Sequence, residues 1–128
     1  MLYMFLLHWN EKEPAANAET VIAEHFAFTD EARKRGAYVY SEAIGGTPGA
    51  TTVRVREGKT ILTDGPYAET KEVMGGIYIL DCRDLDEALE YAAKIPDAKH
   101  AAVEVRPVMH VPGWDYGPTA DRQRQAMA

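Results

Sequence analysis

The 128-residue chain contains a single cysteine, Cys82, which excludes an intrachain disulfide and argues against a disulfide-stapled secreted domain. Long apolar runs are also missing. The apolar stretch at residues 2–7 is far too short to cross a bilayer, and it has neither the basic lead-in nor the cleavage site of a signal peptide. From these absences we predict a cytoplasmic protein that does not contact a membrane.

Positive charge is scarce. Asp and Glu number 20 against 14 Lys and Arg, so the formal net charge is -6. The densest basic cluster, Arg33, Lys34 and Arg35, is followed by Gly36, and cations in the last turn of a helix that ends at a glycine complement the helix dipole. Direct binding to nucleic acid is therefore not expected.

Signatures of metal and cofactor binding are missing as well. The four histidines show no metal-ligand spacing, and the lone Cys82 cannot supply a thiolate cluster. The glycine pairs at 45–46 and 75–76 lack the strand-to-helix setting of a phosphate-binding loop. We predict neither a metal site nor a cofactor.

Two segments have the spacing of amphipathic helices. The first can begin at Asn17, a good capping residue, and run to about Arg35. The second begins at Asp84, which makes a capping box with Glu87, and is stopped by Pro96. The apolar residues that share one face of each predicted helix are Val21, Ile22, Phe26, Phe28 and Ala32 in the first, and Leu85, Ala88, Leu89, Ala92 and Ile95 in the second.

Apolar, alternating or β-branched runs predict six strands, at residues 2–7, 37–44, 52–56, 59–63, 74–81 and 101–109. Glu57 and Gly58 form a two-residue turn that joins the third and fourth strands into a hairpin. The order strand, helix, strand, hairpin, strand, helix, strand predicts an α+β fold. It is a ferredoxin-like βαββαβ arrangement with an inserted β-hairpin.

The domain is expected to comprise residues 1–111, with residues 112–128 as a C-terminal extension. Within that extension, Trp114 and Tyr116 lie in a stretch rich in proline and glycine, so we predict an extended arm that its two aromatic rings anchor. From Asp121 onward we expect a frayed terminus.

The first predicted strand is apolar on both alternating faces, so both faces of the sheet should be covered. Helices in a ferredoxin-like plan cover only one face. A second copy of the chain is the simplest cover for the other, and two facing sheets would form a dimeric α/β barrel with a pocket between them. Glu104 and Arg106 alternate with apolar residues in the last strand, so they would border this pocket.

The stretch Asp64-Gly65-Pro66-Tyr67-Ala68-Glu69-Thr70-Lys71-Glu72 resembles the signature of the YCII-related proteins known for a DGPF motif, with Tyr67 in place of the phenylalanine. The start of the chain, the strand at 75–81, the second helix and the stretch 103–108 also fit that family. The resemblance implies a dimeric α+β barrel. It also implies a family that is mostly uncharacterised, some of whose members occur beside extracytoplasmic-function sigma factors.

The same resemblance makes His25 and Asp64 the candidate catalytic residues, because a related branch uses a histidine at the position similar to His25 together with an aspartate. A neutral imidazole beside a carboxylate can accept a proton at neutral pH, which suits enolisation, elimination or hydrolysis. The alternative is structural. His25 would then complete the polar edge of its helix, and Asp64 would bond the amides of its own turn.

Candidates for substrate binding lie in the motif and in the last strand. Arg106 could hold a carboxylate in a bidentate grip, with Glu104 beside it on the same face. The alternatives are surface ion pairs or a dimer-shaping role for the motif, and a pair between Glu104 and Arg106. The full set of substrate-binding candidates is Tyr67, Glu69, Lys71, Glu104 and Arg106.

Two functions therefore remain open. The first is a cofactor-free small-molecule enzyme that uses His25 and Asp64 for acid–base chemistry. The second is a non-catalytic homodimeric module that binds a small ligand or acts in regulation, in association with an extracytoplasmic-function sigma factor. Only the family resemblance supports this second function. An accessible pocket where His25 and Asp64 meet favours the enzyme, whereas an apolar cavity without converging ionisable groups favours the binding module.

Overall fold

A computed structural model describes residues 1–12 and 17–127 of the chain. Within these residues the chain forms six strands, four α-helices and one short 3-10 helix at Thr47–Gly49. The strands are β1 (Leu2–Trp9), β2 (Tyr38–Ala43), β3 (Thr51–Arg56), β4 (Lys59–Asp64), β5 (Val73–Asp81) and β6 (Ala102–Pro107). The helices are α1 (Ala18–Lys34), α2 (Leu85–Lys94), α3 (Asp97–His100) and α4 (Ala120–Met127). Among the described residues, no helix is both long and apolar enough to span a membrane.

The main sheet has four strands in the order β2-β5-β1-β6, and every neighbouring pair is antiparallel. With α1 after β1 and α2 after β5, this is the predicted ferredoxin-like arrangement, so the α+β fold class is confirmed. Side chains of both helices form one buried core with side chains on a single face of the sheet. That core contains Tyr3, Phe5, Leu7, Phe28, Ala32, Tyr78, Leu80, Ala88, Tyr91, Ala92 and Ile95.

The other face of the sheet carries no helix of that core, and we call it the open face. Its centre is apolar, because Met4 lies opposite Ile79 and Leu6 lies opposite Ile77 in the β1–β5 register. On the β6 side of β1, the partners of Met4 and Leu6 are Arg106 and Glu104. Directly opposed residues point to the same side of a sheet, so the open face has an apolar centre and a charged edge. Glu104 and Arg106 of the last strand therefore lie on the face away from the helices, as predicted.

The predicted helix ends are confirmed. The Asn17 side chain accepts a hydrogen bond from the Thr20 backbone N–H at 3.1 Å, and Gly36 takes a φ of 73° just beyond α1. At the start of α2, the Asp84 carboxylate accepts from the Glu87 N–H at 2.9 Å. These ends depend on bonds between near neighbours in the chain, which is why the sequence predicts them well.

The inserted hairpin is also confirmed. Strands β3 and β4 pair only with each other among the described residues, and the turn residues Glu57 and Gly58 have φ values of 52° and 73°. Positive φ at both central positions is the geometry of the tight hairpin turn that suits the twist of paired strands. The hairpin stands apart from the main sheet, and it connects β2 to the segment that precedes β5.

Two details of helix packing were predicted wrongly. Ile22 and Phe26 were assigned to the buried stripe of α1, but 52% and 68% of their surfaces are exposed, and the helix is buried at Phe28 and Ala32 instead. In α2, Leu85 and Leu89 are about half exposed. Both helices bury a narrower stripe than their apolar residues cover, and on α2 the buried residues are Ala88, Tyr91 and Ala92.

The C-terminal segment also departs from expectation. Trp114 and Tyr116 do not anchor an arm: both are mostly exposed, and their rings pack edge to face against each other at 6.1 Å between centroids. The stretch from Asp121 is helical rather than frayed. Helix α4 is held by Arg122, whose guanidinium contacts the Asp81 carboxylate at 3.0 Å and donates to the Gly36 carbonyl at 3.1 Å.

Candidate functional site

His25 lies on the inward side of α1 and is held at both ring nitrogens. Its Nδ1 is 2.8 Å from the Tyr78 hydroxyl on β5, and its Nε2 is 2.9 Å from Oδ1 of Asp97 at the start of α3. The imidazole and the Tyr78 ring also stack, with centroids 5.9 Å apart. The histidine therefore ties the first helix to both the sheet and the short helix after α2.

The Tyr78 hydroxyl of this cluster stays protonated because the tyrosine is buried. Burial raises the pKa of the Tyr78 phenol, the negative charge of Asp97 raises it further, and a hydrogen bond with Thr29 opposes them. A phenol that stays protonated can donate to Nδ1 of His25, and in that tautomer the ring N–H is at Nε2, on the side of Asp97. The contact with Asp97 is close but lacks the alignment of a hydrogen bond, so among the described residues this buried carboxylate oxygen has no aligned donor.

Asp64, the carboxylate predicted to pair with His25, lies elsewhere. It is the exposed last residue of β4, opposite Thr51 in the hairpin. The neighbouring Gly65 N–H donates to the Ala50 carbonyl at 2.8 Å, which fixes the turn by which the chain leaves the hairpin. The structure thus does not form the His25–Asp64 pair, and the aspartate beside His25 is Asp97. No spacing in the sequence signals Asp97, because only the folding of α3 against α1 brings it there.

A second candidate site is a cavity of about 510 Å³ at one end of the main sheet. We call it the loop cavity. Three segments wall it: the paired ends of β1 and β5, the loop from β2 to β3, and the DGPY loop, which comprises residues 64–72. The side chains that bear on its chemistry are His8, Ile44, Thr47, Tyr67, Glu72 and Met74.

A carboxylate outside the cavity holds the β2–β3 wall in place. Glu11 accepts from the Thr47 backbone N–H at 2.9 Å and also from the Thr47 hydroxyl. Both bonds lower the pKa of Glu11, and the bond from the Thr47 hydroxyl has the larger effect. Burial acts in the opposite direction but is outweighed. The contact needs a glycine at position 46, since a Cβ there would lie 2.8 Å from the Glu11 carboxylate.

A bulge in β5 decides which residue lies opposite His8. The β1–β5 register shifts between Leu7 and His8, so that His8 pairs with Met74 and Gly75 is skipped. The flat ring of Trp9 lies over Gly75, where a Cβ would be 2.9 Å from the indole Cδ1. Bulges commonly re-aim a side chain of the bulged strand, and here the shift in β5 places Met74 opposite His8, so that both residues are in the wall of the loop cavity.

His8 also approaches the charged edge of the open face. Its Nε2 lies 3.4 Å from Oε1 of Glu104, and the other oxygen of Glu104 lies 3.9 Å from Nε of Arg106. His8 is not among the residues predicted from the sequence, although its place at the end of an apolar strand, two positions after Leu6, was a usable signal. Its partner Glu104 comes from β6 and could be found only from the sheet register.

The remaining predicted residues are spread around this end of the molecule. Tyr67 is in the cavity wall and largely exposed, with the Arg54 guanidinium 5.6 Å from its ring centre. Glu69 and Lys71 line a neighbouring depression of about 280 Å³, together with Glu11. These three substrate-binding candidates are in the DGPY loop. The other two, Glu104 and Arg106, lie away from it on the open face.

Metal binding and thiol chemistry have no support in the described residues. Within residues 1–12 and 17–127, no three His, Cys, Asp or Glu side chains gather as a metal site would require. Cys82 is buried, and burial raises the pKa of its thiol to about 11. At that pKa the thiol carries almost no thiolate near neutral pH, so Cys82 is a core residue and not a nucleophile.

Comparison with known proteins gives three findings. The family model of the YCII-related domain matches residues 1–112. An uncharacterized protein of Rhizobium meliloti (strain 1021) is 46% identical over 70 residues, which is 52% of this chain and 56% of that protein, so the match spans little more than half of the relative. A solved structure of 5-chloro-2-hydroxyhydroquinone dehydrochlorinase from Burkholderia phenoliruptrix AC1100, in complex with 2,5-dihydroxybenzoquinone, is similar with a TM-score of 0.45 and 15% identity, covering 87% of this chain and 96% of that one.

Proposed function

The chain belongs to the family of YCII-related domains, and from that premise we propose that it binds a small, mostly apolar molecule in the loop cavity. The observation that carries the proposal is the cavity itself. Its volume of about 510 Å³ falls within the range of about 300 to 1,000 Å³ typical of small-molecule sites. Ile44, Met74 and Tyr67 supply an apolar lining, and His8 and Thr47 supply a few polar groups that can orient a ligand.

The proposal includes a homodimer formed through the open face. Met4, Leu6 and Ile77 make the centre of that face apolar and leave it partly exposed in one chain, so covering it with a second copy would remove this surface from water. Glu104 and Arg106 at its edge carry opposite charges, which a two-fold axis can pair between copies. The loop cavity adjoins this face at His8 and Met74, so the second copy would narrow its mouth.

Acid–base catalysis by His25 and Asp64 stays a prediction, and we do not adopt it as the proposed function. Both ring nitrogens of His25 already have partners in Tyr78 and Asp97, and a base needs a nitrogen that can reach the substrate. A link to an extracytoplasmic-function sigma factor likewise stays a prediction of the family resemblance.

Nitrobenzene, a neutral and compact apolar probe, tests the binding site. Titrated into ¹⁵N-labelled protein, it should shift the backbone amide signals of residues 44–50 and 67–74 more than those of the rest of the chain. The Ala50→Trp variant fills part of the cavity and should abolish these shifts, because Ala50 is one of the lining residues.

The matched control is Ala23→Trp, which adds the same side chain at an exposed position on α1. It should bind nitrobenzene like the unmodified chain. Shifts confined to other regions, or shifts that survive in Ala50→Trp, would overturn the proposed site.

A further inference from the structure

His8 and His25 differ in the access that their ring nitrogens offer to a ligand. His25 is engaged at both nitrogens by other side chains. The His8 ring has Glu104 near its Nε2, and within residues 1–12 and 17–127 no hydrogen bond is made to its Nδ1. Unlike His25, His8 is also in the wall of a cavity large enough for a ligand.

The carboxylate on one side of His8 suits the ring for accepting a proton on the other. When the proton of a neutral imidazole lies on Nε2, facing a carboxylate, Nδ1 carries the lone pair and can accept a hydrogen bond. If Nδ1 is then protonated, the positive charge of the ring lies 3.4 Å from the Glu104 oxygen. Glu104 therefore acts as a positioning residue that stabilises the product of proton transfer.

From this geometry we propose that His8 accepts the proton of a weakly acidic hydroxyl, a phenol or an enol, on a ligand bound in the loop cavity. The inference rests on the proposed function and adds the ligand's chemical class. In the step, the O–H bond breaks and an N–H bond forms at Nδ1 of His8. The electron pair of the broken bond stays on the oxygen, and no oxidant or other reactant takes part.

The charges around the cavity select among ligands. Glu72 is in its wall, Glu104 lies 3.4 Å from His8, and no Lys or Arg side chain is among the lining residues that the structure describes. The Arg54 guanidinium lies outside the wall, 5.6 Å from the ring centre of Tyr67. A ligand that enters with a full negative charge would meet repulsion, so the hydroxyl should arrive neutral and ionise only beside His8. Nε of Arg106 lies 3.9 Å from the Glu104 carboxylate, so Arg106 neutralises Glu104 in part.

The experiment uses 4-nitrophenol, whose absorption distinguishes the phenol from the phenolate, with nitrobenzene as the matched probe that lacks the hydroxyl. Bound to the unmodified chain, 4-nitrophenol should show its phenolate band at a pH lower by roughly one unit, a tenfold change in the ionisation equilibrium. In His8→Gln the 4-nitrophenol that binds should show no such shift. In Glu104→Gln the shift should shrink, because the imidazolium loses its partner.

Each result decides the inference. A phenolate shift that persists in His8→Gln, or 4-nitrophenol bound only as the phenol, would overturn it and leave the binding site intact. If neither probe bound, the proposed function would fail together with the inference. His100→Gln is the control, since His100 is exposed on α3, outside the cavity. Glu104 is exposed at the sheet edge, so Glu104→Gln keeps the test valid even if His8→Gln fails to fold.

Discussion

At the scale of single residues, Asp81 joins the end of the main sheet to the C-terminal helix. Its carboxylate contacts the Met1 ammonium and the Arg122 guanidinium, each at 3.0 Å. Partial burial alone would raise the pKa of Asp81, but the hydrogen bonds and charges of these two cations outweigh it, so the pKa is lowered. The folded chain therefore favours the ionised carboxylate more than the unfolded chain does.

The sign of this shift sets a pH dependence. A lowered pKa gives stability that is present above the ordinary value of 3.8 and is lost as the pH falls through the folded value. We expect Asp81→Asn to lower the free energy of unfolding by about 1 kcal/mol or less near neutral pH, the range of partly exposed ion pairs. At an acid pH below the folded pKa of Asp81, which itself lies under 3.8, the variant and the original chain should converge.

Denaturant unfolding near neutral pH and at the acid pH measures the difference in unfolding free energy between Asp81→Asn and the original chain. Asp30→Asn is the control, because Asp30 is exposed on α1. A deficit for Asp81→Asn that is the same at both pH values would mean that lost packing, and not lost charge, explains it.

At the scale of elements, α2 shows how local bonds set a boundary. The Asp84 carboxylate accepts from the Glu87 N–H, and the Glu87 carboxylate accepts in turn from the Arg83 N–H at 3.1 Å. These two bonds satisfy backbone donors that a helix start otherwise leaves without partners. The helix carries Ala88, Tyr91 and Ala92 into the core, so its start affects the whole domain.

Removing this cap gives an element-scale prediction. We expect Asp84→Ala to lower the free energy of unfolding by about 1 kcal/mol, because the Glu87 N–H loses its acceptor. Asp86→Ala removes an acidic residue from the same first turn without removing the cap. It should lower the free energy of unfolding by only roughly 0.3 kcal/mol. Urea unfolding of both variants compares them, and equal losses would show that the negative charge matters and the capping bond does not.

At the scale of the whole molecule, the open face is the surface through which we propose that two copies assemble. An α+β domain of this type buries one sheet face under its helices, and the apolar centre of the other needs a different cover. The proposed second copy would bring two loop cavities into one particle. It would also shield His8, and with it the proposed proton transfer, from bulk water.

Leu6→Asp tests this assembly, because it places a charge at the centre of the open face. Burying an unpaired carboxylate between two apolar surfaces is costly, so the variant should sediment as a monomer at concentrations where the unmodified chain is a dimer. Phe26→Asp, which changes an exposed apolar side chain on α1, should leave the dimer intact. Sedimentation equilibrium measures both, and dissociation caused only by Phe26→Asp would move the interface to the helical side.

The sequence by itself determined the parts of this protein that depend on near neighbours in the chain. Asn17 and Asp84 fix helix starts, Glu57 and Gly58 fix the hairpin turn, and the alternation in β6 fixes which face holds Glu104. From the order of these elements the α+β fold class followed, since few arrangements of such an order can bury one apolar face.

The tertiary structure alone decided which distant side chains meet. His25 was predicted to meet Asp64, but the packing of α3 against α1 gives it Asp97 instead. The β1–β6 register brings Glu104 to His8, and the bulge in β5 sets Met74 opposite His8 in the wall of the loop cavity. Local spacing carries no information about such contacts, because they depend on how whole elements dock, and docking is set by the shape of a core built from the entire chain.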